Sequence, residues 1–410
     1  MEFNASKRIY LDNNATTAMD PEVARTVYET LQIGPSNPSS QHASGQVART
    51  ILEDAVEEIG KWLDCDLTQT GGPRLIVTSG GTESNNLALR GLVGHDASKI
   101  PPNSSTSSPS PSTNTPLVIS EIEHPSVLAV GQHLERAGRE VRRLPVDTDG
   151  VVRVERLAKL IDGDGQPKSK AGLVSVMSAN NETGVIQPVE AIAELCRAKQ
   201  VPLHIDATQS VGKVPFSPQE LGAAAVTFAA HKFHGPAGVG ALWLNQGVNL
   251  VPLLHGGEQQ LASRPGTEPV ALVAGMATAI RIAVTSQREV AEHTRSLRDN
   301  FERALQSLIP NLVIHGRSTD RLPNTSCVSL PGTDRQSLLM ALDFLGVECS
   351  SGSACSSGSS PPSHVLTAMG CGEQALKSAL RFGVSKFSTE QEVSRSVDLI
   401  SSAYNRLRNG

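Results

Sequence analysis

Short apolar runs alternate with amphipathic stretches through the first two thirds of the chain. Six runs have the length of buried strands, and several are followed by an amphipathic stretch such as PVEAIAELCRAKQ. These runs are RLIVTS (74–79), LVISEI (117–122), GLVSVMS (172–178), PLHID (202–206), AAVTFAA (224–230) and GALWL (240–244). The alternation predicts right-handed βαβ units that form a mostly parallel sheet with helices on both faces. Ligands of such sheets bind beyond the carboxyl ends of the strands.

The segments on either side of this region have helical spacing. After the extended start RIYLDNNATT, two helices are predicted between Pro21 and Leu63, joined by the loop GPSNPSSQHAS. From Thr267 a long helical pattern leads to short strands near LVIHG, SCVSLPG and GVECSS, and a final helix follows. We predict a large domain over 18–265 and a smaller α/β domain made of 1–17 and 266–410, joined by the long helix.

Composition narrows the class of protein. Of 410 residues only 3% are aromatic and the formal net charge is −5, which argues against a nucleic-acid binder that stacks bases. No run approaches the roughly 18 apolar residues that span a bilayer, and the amino terminus lacks the apolar core of a signal peptide. The six cysteines have no CxxC spacing, so no disulfide framework or metal site is predicted. We expect a cytoplasmic protein, with a poorly ordered Ser/Pro-rich insertion at 97–116.

Two strand ends carry a pair of groups that suggest a cofactor. Lys232 follows an apolar run and precedes a Gly/Pro-rich turn, which would present its amine at the carboxyl edge of the sheet. Taken alone, such a lysine is more often a solvated loop residue. Asp206 ends a second run, however, and a lysine and a carboxylate at one sheet edge are what pyridoxal phosphate requires. The lysine forms the Schiff base, and the carboxylate keeps the pyridine nitrogen protonated.

Further strand ends carry groups suited to the same cofactor. Gly80, Gly81 and Thr82 join a strand to a helix, whose first-turn N–H groups and dipole favour a phosphate. His124 follows the run at 117–122, where an imidazole could lie on the cofactor ring and exchange protons. Asn181 follows another run, and its amide could bond to the phenolic oxygen. Taken alone, the glycine turn is weak evidence, and a single histidine at such a position is more often an ordinary residue.

Taken together, ordered motifs along nearly the whole chain resemble one family, the pyridoxal-phosphate-dependent cysteine desulfurases of the NifS/IscS type, within the fold type I aminotransferase superfamily. The motifs are YLDNNATT, NPSSQHASG, TSGGTESNN, EHPSV, NNETG, DATQSVGK, HKFHGP, RPGTE, LPNT, SSGSAC and LRFGVSKFS. The resemblance implies a seven-stranded, mostly parallel sheet and a homodimer. It also implies conversion of L-cysteine to L-alanine, with the sulfur passing through a protein persulfide to an iron–sulfur scaffold or to thio-modification.

The resemblance also gives each candidate residue a role. Lys232 would be the Schiff-base lysine, Asp206 the partner of the pyridine nitrogen, and His124 the residue stacked on the ring. The other cofactor ligands would be Gln209 and Asn181 at the phenolic oxygen, and Gly81, Thr82, His231 and the other subunit's Thr267 at the phosphate. Arg381 would hold the substrate carboxylate, assisted by Asn37.

Cys355 lies in ECSSGSACSSGSSPPSHVL, a segment of serine, glycine and proline that cannot pack a thiol into a core. By the resemblance, Cys355 would be the thiol that takes sulfur from the substrate and carries it outward on a mobile loop at 350–363. The length of this segment resembles the group whose loops donate sulfur directly to scaffold proteins.

Some positions depart from the family pattern. Ala229 stands where the family usually has a phosphate-binding serine, Glu258 interrupts a glycine-rich loop, and Ser385–Lys386 replaces Gly-Arg. Cys349 is expected to be a small buried hydrophobe, although it could also accept the persulfide or form a disulfide with the loop.

Several alternative functions stay open at this point. Selenocysteine lyase shares the fold, the cofactor and the mobile cysteine with the desulfurases. An aminotransferase or kynureninase of the same superfamily is less favoured, because neither needs a thiol on a flexible loop. The departures at Ala229 and Glu258 also leave room for a non-catalytic scaffold on this fold.

Overall fold

The computed structural model describes residues 8–35, 37–93, 115–165, 169–352 and 361–409. Most of the predicted insertion at 97–116, and Cys355 within the predicted loop, lie outside the described residues. The strands are β1 (Ile9–Tyr10), β2 (Arg74–Thr78), β3 (Leu117–Ser120), β4 (Val141–Leu144), β5 (Leu173–Met177), β6 (Leu203–Asp206), β7 (Ala225–Ala229), β8 (Gly240–Leu244), β9 (Val313–Ile314), β10 (Thr325–Ser329), β11 (Val347–Glu348) and β12 (Ala379–Gly383). The helices are α1 (Pro21–Gln32), α2 (Ala43–Trp62), α3 (Gly81–Leu92), α4 (Pro125–Arg136), α5 (Val154–Asp162), α6 (Val189–Ala198), α7 (Pro218–Leu221), α8 (Val270–Thr285), α9 (Gln287–Leu308), α10 (Arg335–Phe344), α11 (His364–Ala368), α12 (Glu373–Ser378) and α13 (Glu390–Asn409).

The central sheet has seven strands in the order β2-β8-β7-β6-β5-β3-β4, which confirms the predicted fold class. Strands β7, β6, β5, β3 and β4 pair in parallel, whereas β8 runs antiparallel to both β7 and β2. Each of the six apolar runs contains one of these strands. Strand β4, with the sequence VRRL, was not identified from the apolar pattern because two of its four residues are arginine.

Helices cover both faces of the sheet. The side chains of neighbouring strand residues point to opposite faces, and on β2 Ile76 and Val77 accordingly belong to different hydrophobic clusters. Strands β3, β5, β6 and β7 are buried along their whole length, as expected for parallel strands between two layers of helices. This packing leaves the carboxyl ends of the parallel strands as the edge where polar side chains can gather.

The prediction of one long helix after Thr267 is wrong. Helices α8 and α9 are separated at Ser286, and their axes differ by 71°. Two side chains explain the break: Thr285 Oγ1 donates to the carbonyl of Arg281 at 2.8 Å, and Ser286 Oγ donates to that of Ile282 at 2.7 Å. Such back-bonding to carbonyls four residues earlier competes with the helical ladder and bends helices. Among the described residues, no single helix is long and apolar enough to cross a membrane.

A second hydrophobic core forms away from the central sheet. It includes Ile9, Leu11 and buried side chains between Leu297 and Tyr404. Two small sheets border it: β1 pairs in parallel with β11, and β12-β10-β9 is antiparallel. Helix α8 instead contributes to the first core and packs on α1 and α2. The domain boundary at 265/266 stays a prediction.

Candidate functional site

Lys232 lies at the carboxyl edge of the central sheet, in a short 3-10 turn (Ala230–Lys232) that directly follows β7. Its Nζ donates to the main-chain oxygens of Asn14 and Ala15, both at 2.6 Å. Burial and, next, the positive charge of Arg381 lower the pKa of Lys232 to about 8. The amine is therefore held in place and is partly uncharged at neutral pH.

Asn14 connects Lys232 to three other predicted site residues. Its main-chain oxygen also accepts from Gln209 Nε2 at 3.1 Å, and its own Nδ2 donates to the main-chain oxygen of Asn181 at 3.2 Å. That same oxygen of Asn181 accepts from Arg381 Nη1 at 3.1 Å. The structure thus joins residues separated by up to 367 positions into one network around a buried asparagine.

Asp206 ends β6 and is 5% exposed. Asn85 Nδ2 donates to its Oδ2 at 2.7 Å, and the main-chain N–H of Thr208 donates to its Oδ1 at 3.0 Å. Each carboxylate oxygen therefore has a donor that fixes its orientation. A carboxylate held in this way can stabilise a positive charge placed against it, such as that of a protonated pyridine nitrogen.

His124 is the N-cap residue of α4. Its Nδ1 lies 2.8 Å from Ser126 Oγ and accepts from the Ser126 main-chain N–H at 3.2 Å. Burial is the main cause that lowers the pKa of His124; the charge of Asp206 opposes it, and that of Lys232 reinforces it. The imidazole is accordingly neutral near pH 7.

A small polar cradle lies where β2 leads into α3. Gly80 has φ +151°, and a Cβ added to Gly81 would lie 3.3 Å from Thr208 Oγ1 and 3.7 Å from the Cβ of Ala229. Thr208 Oγ1 is buried and has no hydrogen-bond partner among the described residues. An unpaired buried hydroxyl beside a helix N-terminus fits an anion such as the phosphate of pyridoxal phosphate. It also places a hydroxyl close to Ala229, where the family's serine is missing.

His231 adjoins this region and is also uncharged. Its Nδ1 lies 3.1 Å from Thr16 Oγ1. Burial, and then the charges of Lys232 and Lys213, lower its pKa to about 4. A neutral imidazole can offer one N–H to a phosphate, in keeping with the role predicted for it.

Arg381 lies on β12 and is 4% exposed. Its Nη2 forms an ion pair with Asp12 Oδ1 at 2.6 Å, and its Nη1 donates to the carbonyl of Asn181. The Nε–H group is buried without a partner among the described residues. Asp12 and Asn181 thus hold the guanidinium plane and leave this one donor unpaired.

Three of the predicted residues are exposed in a single chain. Asn37 is exposed, and its Oδ1 accepts from the main chain of Ser39 at 3.0 Å. Thr82 and Thr267 are exposed as well. Cys355 lies outside the described residues, so its placement stays a prediction.

The other departures from the family pattern have simple surroundings. Lys386 forms an ion pair with Asp20, and Glu258 is exposed. Cys349 packs against the second core, and burial strongly raises the pKa of its thiol. The expectation of a small, unreactive hydrophobe therefore suits Cys349 better than a role in sulfur transfer.

Sequence reasoning did not single out four polar residues that the structure places in the site: Asn14, Asn85, Ser126 and Thr208. All four lie inside motifs that were noted for the resemblance: YLDNNATT, TSGGTESNN, EHPSV and DATQSVGK. The available signal applied to only two of them: Ser126 and Thr208 lie within two residues of a helix start or a strand end, whereas Asn14 and Asn85 lie farther from one. That signal does not say which distant residue each would bond.

Comparisons with known proteins point to one family. Residues 9–395 match the family model described as aminotransferase class-V. The chain is 35% identical over 402 residues to the "Cysteine desulfurase IscS" of Dictyoglomus turgidum, covering 98% of this chain and 96% of that protein. It is 37% identical over 407 residues to a "Cysteine desulfurase" of Cereibacter sphaeroides, covering 98% and 97%. The solved structure of a NifS-like protein from Rickettsia africae superposes with a TM-score of 0.84 at 31% identity, covering 97% of this chain and 99% of that one.

Proposed function

The chain belongs to the class-V aminotransferase family and, within it, to the cysteine desulfurases, and from this premise we propose how its residues divide the reaction. L-cysteine is converted to L-alanine, and its sulfur passes to Cys355 as a persulfide. The observation that carries the assignment of roles is the network around Asn14. It brings Lys232, Gln209, Asn181 and Arg381 to one edge of the sheet.

Lys232 supplies the amine that binds pyridoxal phosphate. With a pKa of about 8, roughly a tenth of Lys232 is the free base at pH 7, far more than for an ordinary lysine. The free base is the form that reacts with an aldehyde. When bound, pyridoxal phosphate supplies an electron sink that weakens the bonds at the α-carbon of an amino acid.

The other cofactor ligands each have a group matched to one part of that molecule. The Asp206 carboxylate, oriented by Asn85 and Thr208, would hold the proton on the pyridine nitrogen. Gly81 and Thr208 line the cradle for the phosphate, which Thr82 and His231 complete. Gln209 and Asn181 would hold the phenolic oxygen.

Substrate binding and sulfur removal use residues from both halves of the chain. Arg381, kept rigid by Asp12, would pair with the carboxylate of L-cysteine, and Asn37 would assist it. His124 would donate or accept a proton beside the reacting carbon. The Cys355 thiolate then takes the sulfur atom, which leaves L-alanine as the product.

A homodimer and a sulfur acceptor complete the proposal. Thr267 is exposed and without a site contact in a single chain, which suits its predicted role in a partner's phosphate site. Large apolar side chains on α1 or just after it, Tyr28, Leu31 and Ile33, are also exposed and suit a subunit interface. A cytoplasmic iron–sulfur scaffold protein is the acceptor that we propose.

The experiment is a comparison of wild type with Cys355→Ser on L-cysteine. Alanine release should fall at least about 100-fold and no persulfide should be labelled, because a serine hydroxyl is a poor nucleophile toward sulfur. Cofactor absorbance should be retained. Cys371→Ser is the matched control, since it changes a half-buried cysteine outside the site and should leave alanine release unchanged. Wild-type rates in Cys355→Ser would refute the assignment.

A further inference from the structure

A continuous hydrogen-bond chain connects Asp206 to His124. Asn85 Nδ2 donates to Asp206 Oδ2 at 2.7 Å and to Ser126 Oγ at 2.8 Å. Ser126 Oγ in turn lies 2.8 Å from His124 Nδ1. These hydrogen bonds therefore run from the end of β6, through α3 and the first turn of α4, to the imidazole.

The direction of every bond in this chain is determined. An ionised carboxylate only accepts, so the Asn85 group facing Asp206 must be its NH2, and both hydrogens of that group are used. Ser126 Oγ accepts one of them and can still donate its own hydrogen to His124 Nδ1. The Ser126 main-chain N–H donates to the same nitrogen at 3.2 Å. Nδ1 therefore carries no proton, and neutral His124 holds its proton on Nε2.

We infer that Asn85 is a positioning residue for the reaction: it holds the Asp206 carboxylate and, through Ser126, fixes on Nε2 the proton that His124 exchanges. The inference rests on the proposed function, because it gives Asp206 and His124 their roles toward the cofactor. Neither Asn85 nor Ser126 touches the reacting atoms in this scheme. Both act through the residues that do.

Burial strengthens the hydrogen bonds that connect Asp206 to His124. Asn85 is 1% exposed, Asp206 5% and Ser126 8%, so water does not compete for these bonds. The other amide atom, Asn85 Oδ1, is buried and has no hydrogen-bond partner among the described residues. An amide kept in place with half of its bonding capacity unused is costly to a fold, which indicates that its two donated bonds are the reason for its presence.

The two halves of the inference are separated by two variants of the full-length holoenzyme. Asn85→Ala releases Asp206 as well as Ser126, so the dissociation constant for pyridoxal phosphate should rise about tenfold and kcat should fall. Ser126→Ala leaves the Asn85 to Asp206 bond intact but removes one donor to His124 Nδ1. The dissociation constant should then change less than about twofold, and kcat should fall about tenfold at unchanged KM for L-cysteine.

Asn245→Ala is the matched control. The Asn245 amide also donates a hydrogen bond, in this case to the main-chain oxygen of Ala223, but it follows β8 at the opposite edge of the sheet, where Leu244 pairs with the first residue of β7. It should leave the cofactor affinity, kcat and KM unchanged. Cofactor affinity is measured by absorbance titration of the apoenzyme, and folding is checked by thermal unfolding.

The possible outcomes distinguish the role at Asp206 from the role at His124. Equal cofactor affinity in Asn85→Ala and Asn245→Ala would overturn the role at Asp206, and an unchanged kcat in Ser126→Ala would overturn the role at His124. If Asn85→Ala fails to fold, the split between kcat and KM in Ser126→Ala still decides the inference. Failure of the wild type to bind pyridoxal phosphate or to release alanine would instead overturn the proposed function, and this inference with it.

Discussion

At the level of single residues, Asn14 organises the site although its side chain is not ionisable. Its main-chain oxygen receives the amine of Lys232, and its side chain holds the segment that carries Asn181. Close packing limits what can stand beside it: a Cβ on Gly383 would collide with Asn14 Oδ1. A neutral amide and a glycine therefore position the reactive groups here. The charged residues are not needed for positioning and can take part in the reaction.

Thr208→Val tests the cradle at Gly81. Removal of the unpaired hydroxyl should weaken binding of pyridoxal phosphate about tenfold, because a hydrogen bond to a charged group contributes about 1.5–3 kcal/mol. Ala229→Ser restores the hydroxyl that is typical of the family, so it should strengthen binding and make the loss on Thr208→Val smaller in the double variant. Titration of the four apoenzymes with cofactor measures this coupling. Equal affinities of wild type and Thr208→Val would show that the hydroxyl does not bind the phosphate.

Single residues were predictable from the sequence only in part. The strand-end positions of Lys232 and Asp206 follow from local patterns, and the structure places both at the carboxyl edge of the sheet. Asn85 was not foreseen as their neighbour, because its bond to Asp206 joins residues 121 positions apart. Local spacing carries no information about such contacts.

At the level of elements, Glu182 contacts the chain on both sides of the segment that carries Cys355. Glu182 is 3% exposed, and its Oε2 accepts from Ser363 Oγ at 2.5 Å. The same oxygen lies against Gly352, which has φ +82° and no space for a Cβ. Gly352 and Ser363, on the two sides of that segment, therefore meet at one buried carboxylate, that of Glu182.

Gly352→Ala should disturb that anchor. The added Cβ would meet Glu182 Oε2 in a backbone conformation that alanine adopts at a cost of about 1 kcal/mol or more. We expect persulfide formation on Cys355 to slow about tenfold in a single turnover, with cofactor absorbance unchanged. Gly370→Ala is the control, because Gly370 has φ +75° but nothing within 4 Å of the added atom. Equal rates for the two variants would argue against an anchoring role for Glu182.

Helix boundaries show where local patterns are insufficient. The helical spacing from 268 to 308 was read correctly, but it continues across Ser286 and so concealed the bend between α8 and α9. Apolar residues surround α8 because the first core encloses it, whereas α9 is amphipathic. That change in pattern, together with the adjacent Thr285 and Ser286, was the signal that could have located the break.

At the level of the whole molecule, the stability of the fold depends on the protonation state of one buried carboxyl group, that of Glu123. Glu123 follows β3 and is fully buried; its Oε1 accepts from Ser120 Oγ at 2.5 Å and from the Met177 N–H at 2.8 Å. Burial raises its pKa to about 8, and Oε2 has no partner among the described residues. The folded protein therefore keeps a proton on Glu123 at neutral pH.

This proton makes stability depend on pH in a definite direction. Folded Glu123 is protonated below about pH 8, whereas the unfolded chain is protonated only below about 4.5. Between these values unfolding releases a proton, so this group's contribution to stability decreases as pH rises, by about 1.4 kcal/mol per pH unit. Glu123→Gln resembles the protonated form, and its apoprotein should lose less melting temperature than wild type between pH 5.5 and 8.

Other buried groups titrate in the same range, so the difference between wild type and variant carries this prediction. Glu190→Gln, an exposed position on α6, is the control and should follow the wild-type curve. Parallel curves for wild type and Glu123→Gln would mean that Glu123 is ionised in the folded protein.

The overall architecture was the most predictable level, and the reason is physical. Strands buried on both faces must be apolar along their length, and the chain shows six such runs before residue 245. The strand order β2-β8-β7-β6-β5-β3-β4 and the reversal of β8 depend on pairing between distant segments. Those features are consistent with the family resemblance but do not follow from periodicity.

The anchor at Glu182 also sets a limit on sulfur delivery. Cys355 is three residues beyond Gly352, so chain length alone keeps its Cα within about 11 Å of the Gly352 Cα, whatever path the segment takes. A thiol confined to a sphere of about this radius has a high effective concentration toward any sulfur atom inside it. The short tether thus favours rapid capture of sulfur near the site and does not favour transport over a long distance. An acceptor must therefore bring its own sulfur-binding atom into that sphere. Proteins whose acceptor cysteine is deeply recessed would be sterically excluded.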